Sequence, residues 1–149
     1  MKLFALAALG LVTLAGSALA QTSPAQVVQE RRDGLRAMGQ HMEAMAAIAR
    51  AGSDPRPAVE RVQALEAWFR GFPARFPAGT QQGAAGIETR ALPAIWQNFA
   101  DFERLDQALL VRLGALREAA ASGNAAAFGQ ALQATGASCG DCHRPYRAR

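Results

Sequence analysis

From residue 21 to the C-terminus, apolar side chains recur every three or four positions, and no segment alternates with period two. A chain with that rhythm buries its apolar surface by packing helix on helix and has no material for a sheet. Composition reinforces the restriction. Alanine dominates, β-branched residues are scarce and 50% of residues are hydrophobic. Alanine loses no side-chain entropy in a helix, whereas valine, isoleucine and threonine are stiff about χ1. At 149 residues the chain can bury one ordinary core and not two. The predicted fold class is all-α.

Punctuation marks four helical segments. Ser23 can cap the first, with Pro24 at the tolerated first position and Gln26 placed to complete a capping box. Its stripe runs through Val28, Leu35, Met38, Met42, Met45 and Ala49, and Gly52 ends it. Asp54-Pro55 opens a shorter second helix with Val59, Val62, Leu65 and Phe69 on one side. The stretch from Gly71 to Gly86, rich in glycine and proline, reads as a long irregular connection, a kind that usually carries function or is loosely ordered. Pro93 suits the first turn of a third helix that buries Ile95, Phe99, Phe102, Leu109, Leu113 and Leu116 before Ser122-Gly123. Asn124 caps a fourth along Phe128, Leu132, Thr135, Cys139 and Cys142. Four amphipathic helices with mostly short connections predict an antiparallel up-and-down four-helix bundle.

The first twenty residues stand apart. Lys2 supplies a positive start, Leu3 to Leu14 form an apolar run, and Ala18-Leu19-Ala20 is the small-x-small pattern of a signal-peptidase site. The run is shorter than the ~20 residues a membrane span needs. Cleavage after Ala20 is therefore predicted, leaving residues 21–149 as an exported, soluble domain with no membrane attachment. Loss of Lys2 takes the net charge from +4 to +3 and leaves arginine as the one remaining Lys/Arg type. Those arginines are scattered among the acids, which reads as a solvated surface and not as a nucleic-acid or lipid site.

The only two cysteines, Cys139 and Cys142, are followed directly by His143. Cys-x-x-Cys-His is the attachment signature of c-type haem. Positions i and i+3 of a helix point the same way, so both thiols can meet the vinyl groups on one porphyrin edge. His143, at i+4 from Cys139, can then reach the iron as axial ligand. A thioredoxin-type pair would want a helix start beside a βαβ pattern, and a zinc site would want four ligands where His41 is the one other histidine. A structural disulfide suits the exported location but does not call for the adjacent histidine. Arg31 falls on the apolar stripe of the first helix, where a charge should not sit unpaired. It either snorkels to the bundle end or meets an anion there, and a haem propionate is such an anion.

With these residues placed, the mature chain resembles cytochrome c′, the four-helix class of c-type cytochromes. The most specific block is Gly136-Ala-Ser-Cys-Gly-Asp-Cys-His-Arg-Pro-Tyr-Arg147, and Val28-Gln-Glu-Arg31 with Leu35 and Met38 looks like the family's first helix. Phe76-Pro-Ala-Gly-Thr80 and Leu92-Pro-Ala-Ile-Trp96 match its loop and third-helix entry. The resemblance implies one covalent haem c on Cys139 and Cys142, with His143 as the sole protein ligand to iron and Leu35 as an apolar lid over the opposite face. It also implies Arg31 and Arg32 by the propionates, Glu88 and Thr89 near the haem edge, Arg147 close to the imidazole, and Trp96 and Phe99 packed by the haem. Pro145 departs from the pattern, since it cannot donate to the carbonyl of Asp141, and it predicts a kink or an end to the helix there.

Ligand number separates two functions. In the related low-spin class, a methionine occupies the position that aligns with Leu35, and leucine cannot coordinate iron; Met38 or Met42 could take that place only if the helix were shifted. A five-coordinate site with an apolar distal face suits NO and CO, not dioxygen carriage or peroxide cleavage, because those need a hydrogen-bond donor. The resemblance further implies a periplasmic location, a non-enzymatic gas-binding role, a periplasmic redox partner and a homodimer. Phe69, Phe72 and Phe76 offer more aromatic surface than a short helix and loop readily bury, which is weak support for the dimer, and they could equally cap the bundle core. Electron transfer alone, through a methionine-ligated haem, is the alternative, and a haem-free helical protein with a Cys139–Cys142 disulfide is the rival from another class.

Overall fold

The computed structural model describes residues 22–149. The predicted signal segment, residues 1–20, lies outside the described residues. Helix α1 spans Pro24–Ala51, capped by Ser23, whose hydroxyl accepts from the Gln26 amide at 3.2 Å. The capping box is only half made, because the Gln26 amide group turns to Glu30. The chain leaves α1 through Gly52 at φ 60°, a left-handed conformation that favours glycine, and the Gly52 and Ser53 amides close on Ala49 and Ile48.

Asp54 caps a 3₁₀ turn, Arg56–Ala58, by accepting from the Arg56 amide, so α2 proper begins later than the Asp-Pro pair suggests, at Val59–Phe69. Another 3₁₀ turn, Phe72–Arg75, gives the following connection local order. The third predicted helix is in fact two: a single turn, α3 at Ala94–Gln97, and a long α4 at Phe99–Ala121. They part at Asn98, whose backbone is non-helical at φ −130° and ψ 48°. Tethers around α3 account for the break. The Trp96 indole donates to the Phe76 carbonyl at 3.0 Å, and the Leu92 amide donates to Tyr146. Helix α5, Ala125–Tyr146, runs through Pro145 to within its last turn and ends at Arg147, whose extended backbone pairs with Ala91.

Helices α1, α2, α4 and α5 form the four-helix bundle, each touching its two neighbours, with α4 against α5 as the most extensive contact. Close approach of α1 to α2 depends on Gly34, where a Cβ would collide with the Trp68 indole. The end holding the C-terminal halves of α1 and α4 is packed solid: Met45, Val62, Leu113, Leu116 and Phe128 have no exposed surface. Toward the other end the interior becomes aromatic, through Phe72–Phe76 and Phe76–Phe102 ring pairs 5.0 and 4.8 Å apart and Phe102–Tyr146 at 5.5 Å. Phe69, Phe72 and Phe76 are all buried there, so they supply no spare aromatic surface for a dimer.

Candidate functional site

At the aromatic end a cavity of about 690 Å³ opens between the helices. That volume lies within the usual range for bound cofactors and small molecules. Phe69, Phe72, Phe76, Ile95 and Phe102 form apolar walls, and the C-terminal half of α5 brings Cys139, Cys142 and His143 to the same space. Both thiols are free and half-buried. Burial raises the pKa of Cys139, and burial together with the charges of Cys139, Asp106 and Asp101 pushes that of Cys142 up to about 11. An activated Cys-x-x-Cys redox pair has the opposite shift, so the environment is wrong for thiol–disulfide catalysis. His143 has its pKa lowered by desolvation and then by the charge of Arg147, which favours the neutral imidazole that a metal requires.

Arg31 is buried, 2% exposed, and its charge is dispersed over neutral acceptors. One terminal nitrogen donates to the Arg75 carbonyl at 3.1 Å and the Thr80 hydroxyl at 3.2 Å; the other donates to the Thr80 carbonyl at 3.1 Å and the Thr89 hydroxyl at 3.0 Å. The Phe76 ring lies 4.2 Å beneath the guanidinium. Burial lowers its pKa to about 10, which still leaves it charged at neutral pH. The snorkelling alternative therefore fails: Arg31 ties the 75–89 loop to α1. Arg32 is exposed at the cavity edge and donates to the Glu88 carbonyl at 3.2 Å. Glu88, Thr89 and Arg147 line the same cavity.

Leu35 stands at the α1 wall, 37% exposed, one of two large hydrophobic residues so exposed among the described residues. Met38 and Met45 are buried in the core and Met42 packs against it, and none of these three lines the cavity. Trp96 and Phe99 do not line it either. Trp96 donates to the Phe76 carbonyl, and both rings are partly buried against the core, beside Phe76 and Phe102 respectively.

Several lining residues escaped the sequence reading, among them Gln82, Ile87, Arg90 and Ser138, and one of them is a buried charge. Asp106 of α4 is 5% exposed, and neither carboxylate oxygen has a hydrogen-bond partner among the described residues. Its sequence signal was the one that singled out Arg31: a charge on an apolar stripe, here between Phe102 and Leu109.

The donor set fits a covalently held porphyrin. Two thiols three residues apart on one helix, an adjacent imidazole and facing hydrocarbon walls around a single cavity are what such a group needs. The Cytochrome C′ family model matches residues 26–147. A cytochrome c′ of Pararhodospirillum photometricum is 35% identical over 128 residues, which are 84% of this chain and 98% of that protein. A cytochrome c-556 of Agrobacterium tumefaciens, strain B2A, is 35% identical over 127 residues, 80% of this chain and 96% of that one. A solved cytochrome c′ with a ligand-controlled dimer dissociation superposes with a TM-score of 0.79 at 27% identity, covering 87% of this chain and 100% of that chain. Bundle, cavity, attachment motif and similarity along almost the whole described chain converge: the protein belongs to the cytochrome c′ family, class II cytochromes that carry one covalently bound haem c.

Proposed function

We propose that the protein is a periplasmic gas-binding and electron-exchanging cytochrome, with haem c joined through Cys139 and Cys142 and a five-coordinate iron held by His143. Haem iron with one open axial position takes up small diatomic molecules and passes single electrons. The observation that carries the reading is the α1 wall: Leu35 lines the cavity, and Met38, Met42 and Met45 are committed to the core. A leucine cannot coordinate, so it covers the site without closing it and must swing aside to admit NO or CO. Its partial exposure at the cavity mouth gives it room to move.

The remaining residues hold this geometry. His143 is the sole axial support from protein, and Arg147 favours its neutral form. The loop carrying Glu88 and Thr89 borders the haem edge, anchored on one side by Arg31 and on the other by the Ala91–Arg147 pairing. Since Arg31 is occupied by loop acceptors, Arg32 has the freer guanidinium for a propionate. Export depends on the segment ending at Ala20. Among the described residues no helix is long and apolar enough to cross a membrane. Homodimerisation belongs to the same proposal, supported by likeness to the cytochrome c′ with ligand-controlled dimer dissociation.

The test is the electronic spectrum of protein purified from the periplasm: oxidised, reduced, and reduced with CO. A broad reduced Soret band that sharpens and shifts with CO is the expected result. Sharp low-spin bands indifferent to CO would transfer the assignment to a methionine-ligated electron carrier, and no haem absorption at all would end it.

A further inference from the structure

The proposed function makes no use of Asp106. This carboxyl group sits on the α4 wall of the cavity, and its two oxygens are buried without a partner among the described residues. The charged groups of the neighbouring elements divide into engaged ones and three lining residues, Glu88, Arg90 and Arg147, none of which bonds Asp106. On α1, Arg31 is saturated by loop acceptors and Arg36 bridges Asp33 at 2.7 Å, while Arg32 is exposed and donates to the Glu88 backbone carbonyl. Helix α2 offers only Phe69 to the cavity, and its buried Glu66 is engaged by Arg117 at 3.1 Å. The loop contributes Glu88 and Arg90 to the lining. From α5 come the two thiols, His143 and Tyr146, followed by Arg147, but the Tyr146 hydroxyl donates to Asp101, five residues before Asp106 on α4, at 2.7 Å. On α4 itself, Asp101 is engaged by Tyr146 and Arg104, and Glu103 is exposed.

A carboxylate so isolated has two ways to relieve its desolvation: take a proton, or find a positive charge. Burial alone pushes its pKa up to about 6, within reach of ordinary pH. The charge it would meet in this cavity depends on oxidation state. A porphyrin dianion with ferric iron carries one net positive charge, and with ferrous iron it carries none.

We infer that Asp106 is a redox-linked proton acceptor, ionised opposite ferric iron and protonated from water when the iron is reduced. One electron arrives from a one-electron donor and one proton from bulk water. Iron(III) becomes iron(II), the Asp106 carboxylate becomes the carboxylic acid, and oxidation releases both. The inference rests on the electron-exchange part of the proposed function. Asp106 touches no substrate in this scheme; it sets the potential at which the electron moves.

The test measures the midpoint potential of the holoprotein by spectroelectrochemistry from pH 4.5 to 8, for the wild type and Asp106→Asn, which keeps the shape and removes the proton site. The wild-type potential is expected to fall as pH rises between the carboxyl pKa of the ferric form and the higher one of the ferrous form. A tenfold difference in proton affinity between the two forms displaces the potential by about 59 mV across that window. The variant is expected to lack this fall and to lie above the wild type at pH 8. The reduced-minus-oxidised infrared spectrum of the wild type should gain a protonated-carboxyl band that shifts in heavy water and is missing from D106N. That band also decides the matter if D106N fails to fold, since its absence from the wild type overturns the inference. A flat wild-type potential overturns it too, as does a slope that survives in D106N, which would put the proton on a propionate or on His143. Lack of any reversible one-electron wave defeats the electron-exchange reading itself, and is distinguishable from an intact wave at a pH-independent potential.

Discussion

The two ends of this bundle are built from the same four helices and solve opposite problems. At one end Met45, Ala58, Val62, Leu113, Leu116, Ala120 and Phe128 are fully buried and fill the space between helices with hydrocarbon. At the other end the same helices diverge around a cavity, and two charges, Arg31 and Asp106, sit on stripes that are apolar further along. The packed end can hold its shape with its own side chains. The cavity end leaves apolar walls, two thiols and an imidazole exposed to a common space, so its stability and its chemistry both depend on what fills that space. A further contrast lies inside the cavity end. Arg31 is answered by four protein acceptors, whereas Asp106 is answered by none.

Mutations should divide along the same line. The largest effect is expected from replacing Cys139 and Cys142 together by serine. The covalent haem mass should be lost entirely in intact-mass measurement, and a retained mass gain would break the assignment of the cavity. Next, Phe128→Ala at the packed end should destabilise by about 3–5 kcal/mol in denaturant unfolding, with the visible spectrum of the folded protein unchanged. A changed spectrum would mean that the two ends are not independent.

Arg31→Met removes the donors from four acceptors and should cost on the order of 2–4 kcal/mol. Hydrogen exchange should accelerate at the loop amides that follow Thr89, while the amides around Leu113 stay protected; uniform loosening would contradict the clamp role. Leu35→Ala is a sharper probe of function. Leu35 is already 37% exposed, so stability should change by less than ~1 kcal/mol, while CO association to the reduced protein should rise by about tenfold if the lid contributes ~1.4 kcal/mol to the entry barrier. An unchanged association rate would remove Leu35 from the lid role.

The smallest effect concerns acid stability at Asp101, where α4 meets the end of α5. The bond from Tyr146, with help from Arg104, holds the Asp101 pKa below the usual carboxylate value. A carboxylate with a depressed folded pKa stabilises the fold above its unfolded value of about 3.9, and that stabilisation is lost as pH falls through the folded pKa. Asp101→Asn should therefore flatten the decline of melting temperature on the acid side of pH 4. An identical acid profile would show that Asp101 and Tyr146 are not coupled.

Much of this was legible in the residues. Caps at Ser23 and Asn124 and the exit at Gly52 follow from local chemistry, and the structure places helix ends where that chemistry puts them. The Cys-x-x-Cys-His spacing names a cofactor because helix geometry alone brings its side chains to one face. The split of the third helix at Asn98 was not legible, since the apolar pattern runs across it and only tethers from Phe76 and Tyr146 interrupt it. The resemblance puts Trp96 and Phe99 by the haem, and neither lines the cavity. Asp106 carried a readable signal, the same one as Arg31, but which buried charge would find partners depends on which loop crosses the bundle end.

Sequence by itself determined the helices, their apolar faces and the attachment chemistry, because each depends on residues within a turn or two of one another. Helix packing is what lets the 75–89 loop saturate Arg31, keeps Met38, Met42 and Met45 in the core while Leu35 meets the cavity, and leaves Asp106 without a partner among the described residues. These are contacts between segments tens of residues apart. Their outcome is set by how the helices pack, which no local pattern of spacing or propensity encodes.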